Sequence, residues 1–118
     1  MTDIKVRFAP SPTGNLHVGN LRTALVNFLF ARRQGGHFML RIDDTDTDRS
    51  TAAFEASIRQ DLQWMGLQWE SEDRQSARLA RYDEALQTLL ADGRAYACYD
   101  TPEELGLKRK AQLSSGRP

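Results

Sequence analysis

Ile4-Lys-Val-Arg-Phe8, Ala9-Pro-Ser-Pro-Thr-Gly-Asn-Leu16 and His17-Val-Gly-Asn20 run on without a break, and the changes of period across them set the fold class. Ile4, Val6 and Phe8 alternate with Lys5 and Arg7, the pattern of a strand with one buried face. Pro10, Ser11, Pro12, Thr13, Gly14 and Asn15 then force a loop over residues 9–16. From His17 the period changes: Leu21, Leu25, Phe28 and Leu29 fall at helical spacing, with Arg22, Asn27, Arg32 and Arg33 elsewhere on the wheel. Gly35 and Gly36 supply a stop. Residues 37–42 are short and mostly apolar, as in a buried second strand. Strand, loop, helix and strand in that order make a βαβ unit with parallel strands and a right-handed crossover.

Working outward, Phe54, Ile58, Leu62 and Met65 predict a second helix. Leu79, Tyr82, Leu86 and Leu89 predict a third, which Gly93 ends. Residues 95–99 read as a further short strand. Thr101-Pro-Glu-Glu104 is a capping box with proline at the first helical position, so a fourth helix begins there. Ser114-Ser-Gly-Arg-Pro118 has the composition of a linker. Trp64 and Trp69 flank Gly66 and are expected to pack a helix end. Cys98 is expected to be a small buried hydrophobe, and Arg32 and Arg33 to sit at a helix C-terminus for its dipole.

Composition narrows the function classes. The chain has 118 residues, 40% of them hydrophobic and 27% charged, as in an ordinary globular domain rather than a disordered one. Sixteen basic and sixteen acidic residues cancel, so composition by itself points to no nucleic-acid or membrane partner. The basic residues are lopsided: Lys5, Lys108 and Lys110 are the only lysines. A single cysteine excludes an internal disulfide and a CxxC site. No apolar stretch approaches a bilayer span and nothing resembles a secretory signal, so the protein is expected in the cytoplasm. Its oligomeric state is left open.

Ligands of open parallel α/β sheets bind beyond the carboxyl ends of the strands. Two unusual segments fall there: residues 7–20 after the first strand, and 41–49 after the second. The first ends at a helix N-terminus, where free N–H groups and the dipole favour an anion. Gly14 and Gly19 remove side chains where a nucleotide would approach the backbone. Neither GxGxxG nor GxxxxGK[ST] occurs, which excludes dinucleotide and Walker-type sites. An imidazole at His17 can instead donate a hydrogen bond to developing phosphoryl charge. In the second segment, Asp44, Asp46 and Asp48 read as a solvated turn with helix-start acids rather than as ligand contacts.

Pro10-Ser-Pro-Thr-Gly-Asn-Leu-His-Val-Gly-Asn20 resembles the "HIGH" region of class I aminoacyl-tRNA synthetases. Arg7-Phe-Ala-Pro-Ser-Pro-Thr-Gly14, Arg22-Thr-Ala-Leu25, Arg41-Ile-Asp-Asp-Thr-Asp46 and Thr101-Pro-Glu-Glu-Leu105 resemble the glutamyl-tRNA synthetases in particular. The resemblance implies a Rossmann-like α/β fold. Residues 1–94 would be the first half of the catalytic domain, and residues 95–118 the start of a tRNA acceptor-arm insertion. It implies a glutamate–tRNA ligase that uses ATP with magnesium to form glutamyl-adenylate and then charges the tRNA 3′ end. By the same resemblance Arg7, Ala9, Ser11 and Asp43 would bind glutamate. Thr13, His17, Gly19 and Asn20 would bind ATP, with His17 catalytic. Asp43 stands where the family usually has glutamate, so it would reach less far toward the substrate ammonium, with a water bridging the contact. Cys98-Tyr-Asp100 replaces a zinc-binding Cys-x-Cys, so no zinc is expected.

With no lysine between Lys5 and Lys108, a KMSKS-like loop is absent, and the chain reads as a fragment without turnover of its own. Two alternatives stand beside this reading. One is a non-catalytic module that keeps the half-site; the other is a glutamyl-tRNA-synthetase-like enzyme that modifies a tRNA base. Lys108, Arg109 and Lys110 read either as an acceptor-stem contact or as a solvated face.

Overall fold

In the structure, a computed structural model that describes residues 4–116, the predicted βαβ unit is present and repeats once. Strand β1 (Lys5–Phe8) leads through a loop to helix α1 (Val18–Gln34) and strand β2 (His37–Ile42); helix α2 (Ala52–Trp64) then leads to strand β3 (Ser71–Arg74). All three strands are parallel, in the order β1-β2-β3. A 3-10 turn (Ser76–Arg78), α3 (Leu79–Ala91) and α4 (Pro102–Ser114) follow. The chain divides into two compact units at Arg81/Tyr82.

The register decides which residues see the core. Val6 pairs with Phe38 and Phe8 with Leu40, so these side chains share one face of the sheet. Phe38, Leu40 and Ile42 are fully buried there, with Ala24 and Ala31 of α1 and Ile58 and Leu62 of α2 in the same cluster. Both crossover helices therefore cover the same face of the sheet. Leu21, Leu25 and Phe28 pack against the cluster as their spacing predicts, whereas Leu29 lies exposed. Phe28 and Phe38 meet edge to face at 5.8 Å, a geometry worth about 0.5–1.5 kcal/mol beyond area burial.

The helix signals hold where local chemistry dictates them. Gly35 caps α1 in the left-handed conformation (φ 62°), and Thr101 and Glu104 form the reciprocal capping box of α4. Helix α4 runs through Ser114, so the first residue of the expected linker is helical; Arg117 and Pro118 lie outside the described residues.

Three expectations are corrected. Residues 95–99 form no strand; the third strand is instead Ser71-Glu-Asp-Arg74, a wholly polar stretch without the alternation that marks β1. Trp64 is 85% exposed, because it lies on the flank of α2 away from Ile58 and Leu62; only Trp69 packs on the core, donating its indole N–H to Glu72 at 3.1 Å. Cys98 is exposed, its thiol 3.8 Å from Asp100.

β3 is held by charge rather than by apolar burial. Glu55, 6% exposed, accepts from Arg59 and Arg74, and Arg59 also donates to Glu72 at 2.6 Å. At the other end of the strands Glu70 accepts the backbone N–H of Phe38 at 2.8 Å and pairs with Arg32. Arg32 lies 4.7 Å from the centroid of the Phe28 ring and donates to the Gln68 carbonyl, so it ties α1 to the entry of β3 rather than merely answering the helix dipole.

Gly35 and Gly36 are adjacent but required for different reasons. A Cβ at Gly35 would meet nothing within 4 Å, whereas one at Gly36 would lie 2.5 Å from the Ile4 carbonyl oxygen. Gly35→Asn, which tolerates the left-handed region, is therefore expected to lower stability by less than about 1 kcal/mol. Gly36→Ala must push β1 away and is expected to cost about 1–3 kcal/mol, as overpacking does. Urea unfolding of the two variants checks the order.

The acidic ties also set a pH dependence. Arg59 holds the Glu72 carboxyl below the usual carboxylate range, and the Phe38 N–H, then Arg32, do the same for Glu70. At Asp44 burial pushes upward, but hydrogen bonds from Ser76 and the nearby Arg74 reverse it and the carboxyl ends below its ordinary value. The unfolded chain thus takes up protons on these groups at higher pH than the folded chain. Their stabilisation is complete above the ordinary carboxylate range and is lost as pH falls through and below it. Denaturation midpoints should be level from pH 7 to about 5 and decline below about pH 4.5, with Glu72→Gln lower at neutral pH and less steep in acid.

Candidate active site

The loop between β1 and α1 and the segment after β2 emerge at the same edge of the sheet and are stitched together there. The Asp43 N–H donates to the Pro10 carbonyl at 3.0 Å, and the Thr51 N–H donates to that of Pro12 at 3.1 Å. The juxtaposition expected of residues 7–20 and 41–49 is thus made by backbone hydrogen bonds, with Pro12 buried between them.

Alternation along the strands sorts the candidates by face. With Val6 and Phe8 turned to the core, Arg7 is exposed on the opposite face, paired in register with Met39. Arg41 follows two residues along β2, and Asp43 two residues further. Arg41 donates to both Asp43 oxygens, at 2.7 and 3.0 Å. This fork fixes a half-buried carboxylate at the mouth of the site. Arg7 pairs with no acid among the described residues. The Arg7 cation and a carboxylate oriented by Arg41 therefore share one face. That set suits a zwitterionic ligand that also carries an acid.

On the other side of the same loop, Ser11, Thr13, Gly14, His17 and Asn20 line a crevice of about 310 Å³ at the start of α1. His17 is the N-cap of that helix, in extended backbone conformation, and its ring Nδ1 accepts the Gly19 N–H at 3.1 Å. The His17 N–H donates to Asn20 Oδ1 at 3.2 Å. A neutral ring that accepts at Nδ1 carries its proton on Nε2, so a donor remains for a ligand. Capping and catalysis are thus compatible uses of one imidazole. Gly19 leaves that ring its room: a Cβ there would lie 2.9 Å from His17 Cε1, and the ring would have to shift. At Gly14 a Cβ would meet nothing within 4 Å.

The acids after Asp43 are less uniform than a solvated turn. Asp44 is largely buried and accepts from the Ser76 N–H at 2.9 Å and the Ser76 hydroxyl at 2.6 Å, so it anchors the segment after β3. Asp46 accepts from Arg49 within its own turn, and Asp48 is exposed. Asp44, Ser50, Thr51, Glu55 and Arg74 line a second crevice of about 280 Å³ beside the first loop. The Ser50 hydroxyl there is buried without a hydrogen-bond partner among the described residues. Sequence reasoning missed Glu55 and Arg74. The only available signal was an acid at a position that helical spacing places near Ile58 and Leu62. Among the described residues no group of three or more His, Cys, Asp or Glu side chains is arranged to hold a metal, and no helix is long and apolar enough to cross a membrane.

Comparison with known proteins identifies the family. The chain is 59% identical over 114 residues to "Glutamate--tRNA ligase 1" of Maricaulis maris (strain MCS10), covering 97% of the chain and 26% of that protein. It is 58% identical over its full length to "Glutamate--tRNA ligase 1" of Ruegeria pomeroyi, covering 27% of that protein. Among solved structures it is similar, at 39% identity and a TM-score of 0.80, to a glutamate tRNA ligase from Elizabethkingia meningosepticum in complex with its amino acid. That match covers 98% of the chain and 25% of the other. The chain therefore spans about a quarter of the length of the curated relatives it matches. Residues 3–118 match the family "tRNA synthetases class I (E and Q), catalytic domain", and with the parallel α/β sheet and the His17 helix start this places the chain in that family.

Proposed function

We propose that the protein built on this chain is a glutamate–tRNA ligase that acts in the cytoplasm. It would activate the α-carboxylate of glutamate with ATP, supplied as its magnesium complex, and pass the glutamyl group to the tRNA 3′ end. The observation that carries the proposal is the pair of opposite charges on one sheet face: Arg7, paired with no acid among the described residues, and Asp43 held in a fork by Arg41. An amino acid with an acidic side chain offers the complementary pair.

In this reading Arg7 receives the side-chain carboxylate bidentately, at about 1.5–3 kcal/mol per charged hydrogen bond. Ala9 and Ser11 line the pocket, and Asp43 receives the α-ammonium. Asp43 can do so while bonded to Arg41, because a carboxylate offers about four lone-pair sites. Thr13, Gly19 and Asn20 border the nucleotide, and His17 Nε2–H donates to the α-phosphate as negative charge builds on it. Such a site works by positioning and electrostatics, with no covalent bond to the protein. No zinc enters the proposal, since the Cys98 thiol stands beside Asp100 rather than a second thiol. Residues 1–94 serve activation, and residues 95–118 open the acceptor-arm insertion.

The test grafts this chain into the Maricaulis maris ligase in place of the matching quarter and measures glutamate-dependent ATP–pyrophosphate exchange. The chimera should exchange, and Arg7→Ala should lower kcat/KM for glutamate at least about a hundredfold, two charged hydrogen bonds being lost. Arg7→Lys should recover little, because an ammonium cannot reproduce the fork. Undiminished exchange in Arg7→Ala would overturn the glutamate assignment.

A further inference from the structure

We propose that Asn20 is a positioning residue for His17: its side-chain oxygen is committed to the N-cap backbone, and through that bond it sets the imidazole with Nε2–H facing the ligand. The inference rests on His17 as the phosphate donor and changes the part Asn20 plays beside the nucleotide. Three observations converge. The Asn20 Oδ1 accepts the His17 N–H at 3.2 Å, which fixes the backbone from which the ring projects. The ring in turn accepts the Gly19 N–H at Nδ1, at 3.1 Å. The ring also lies so close over Gly19 that a methyl group there would come within 3.0 Å of both Cε1 and Nδ1.

The His17 side chain is exposed, so without these ties its χ angles would average. A donor that must be in place when charge develops cannot be left to average, because each unproductive orientation subtracts from the population that can react. The N-cap and the third helical residue normally exchange hydrogen bonds to satisfy free amides. Here that exchange also assigns the two ring nitrogens, one to the helix and one to the ligand. Gly19 acts through the same ring by leaving it room. An oxygen acceptor at position 20 is what the geometry needs, so aspartate can replace asparagine where alanine cannot.

NMR on this chain, labelled with nitrogen-15, tests the proposal through the coupling across the Gly19 N–H···Nδ1 hydrogen bond of His17. The coupling should be present in the natural chain and in Asn20→Asp, and lost in Asn20→Ala, while amides of Phe38 and Leu40 stay at their positions to show that the core is intact. Gly19→Ala should weaken it by crowding the ring, and if Asn20→Ala does not fold, loss of the coupling in folded Asn20→Asp would overturn the proposal. A coupling of undiminished size in folded Asn20→Ala would overturn the proposal. In the chimeric ligase Asn20→Ala should lower kcat of exchange with KM for ATP little changed, and Asn20→Asp should restore the hydrogen-bond coupling. A rise confined to KM for ATP would make Asn20 a nucleotide ligand and overturn the positioning role. If His17→Ala leaves exchange untouched while the coupling behaves as expected, the phosphate-donor reading of His17 fails and the tie from Asn20 stands.

Discussion

Burial of one face of the middle strand is the constraint from which the rest of the unit follows. Phe38, Leu40 and Ile42 are removed from water by α1 and α2 together. Strand side chains alternate with a period of two, so this burial leaves Met39 and Arg41 no choice of direction, and the parallel register passes the same choice to β1. Arg7 therefore faces away from the core, on the side where Arg41 holds Asp43. A slip of one residue would bury Arg7 and Arg41 and expose Phe8 and Leu40, at a cost no nearby acid could offset. The apolar core and the charged site are two sides of one geometric condition.

Polar ties complete what the core begins. β3 contributes Ser71, Glu72, Asp73 and Arg74, none of them apolar, yet it takes a regular place in the sheet. Glu55 makes this possible: a carboxylate buried on α2 needs partners, and Arg59 and Arg74 supply them from its own helix and from the new strand. Asp44 performs the same service toward Ser76. The acids that follow β2 thus divide between the two tasks, Asp43 turned toward the site and Asp44 toward the scaffold.

His17 shows how a local demand can be met without using up a side chain's chemistry. As an N-cap it uses one ring nitrogen and one backbone amide, and the second ring nitrogen stays available. The capping geometry leaves Nε2 free of that task, so it does not compete with the proposed donor role. Gly19 serves the same ring, its missing side chain making room for the imidazole.

What could be read from the chain alone was whatever depends on neighbours a few positions apart. The alternation of Val6 and Phe8, the helical spacing of Leu21, Leu25 and Phe28, the left-handed stop at Gly35 and the box of Thr101 and Glu104 are local by nature. So are the ordered motifs that gave the family resemblance and the candidate residues from Arg7 to Asp43. Tertiary structure decided the rest, because the partners are far apart in sequence: Glu55 with Arg74, Arg32 with Glu70, Asp44 with Ser76, Asp43 with Pro10. A strand without apolar alternation, an exposed Trp64 and an exposed Cys98 carry no local mark, since burial and pairing are properties of what packs against a residue rather than of the residue itself.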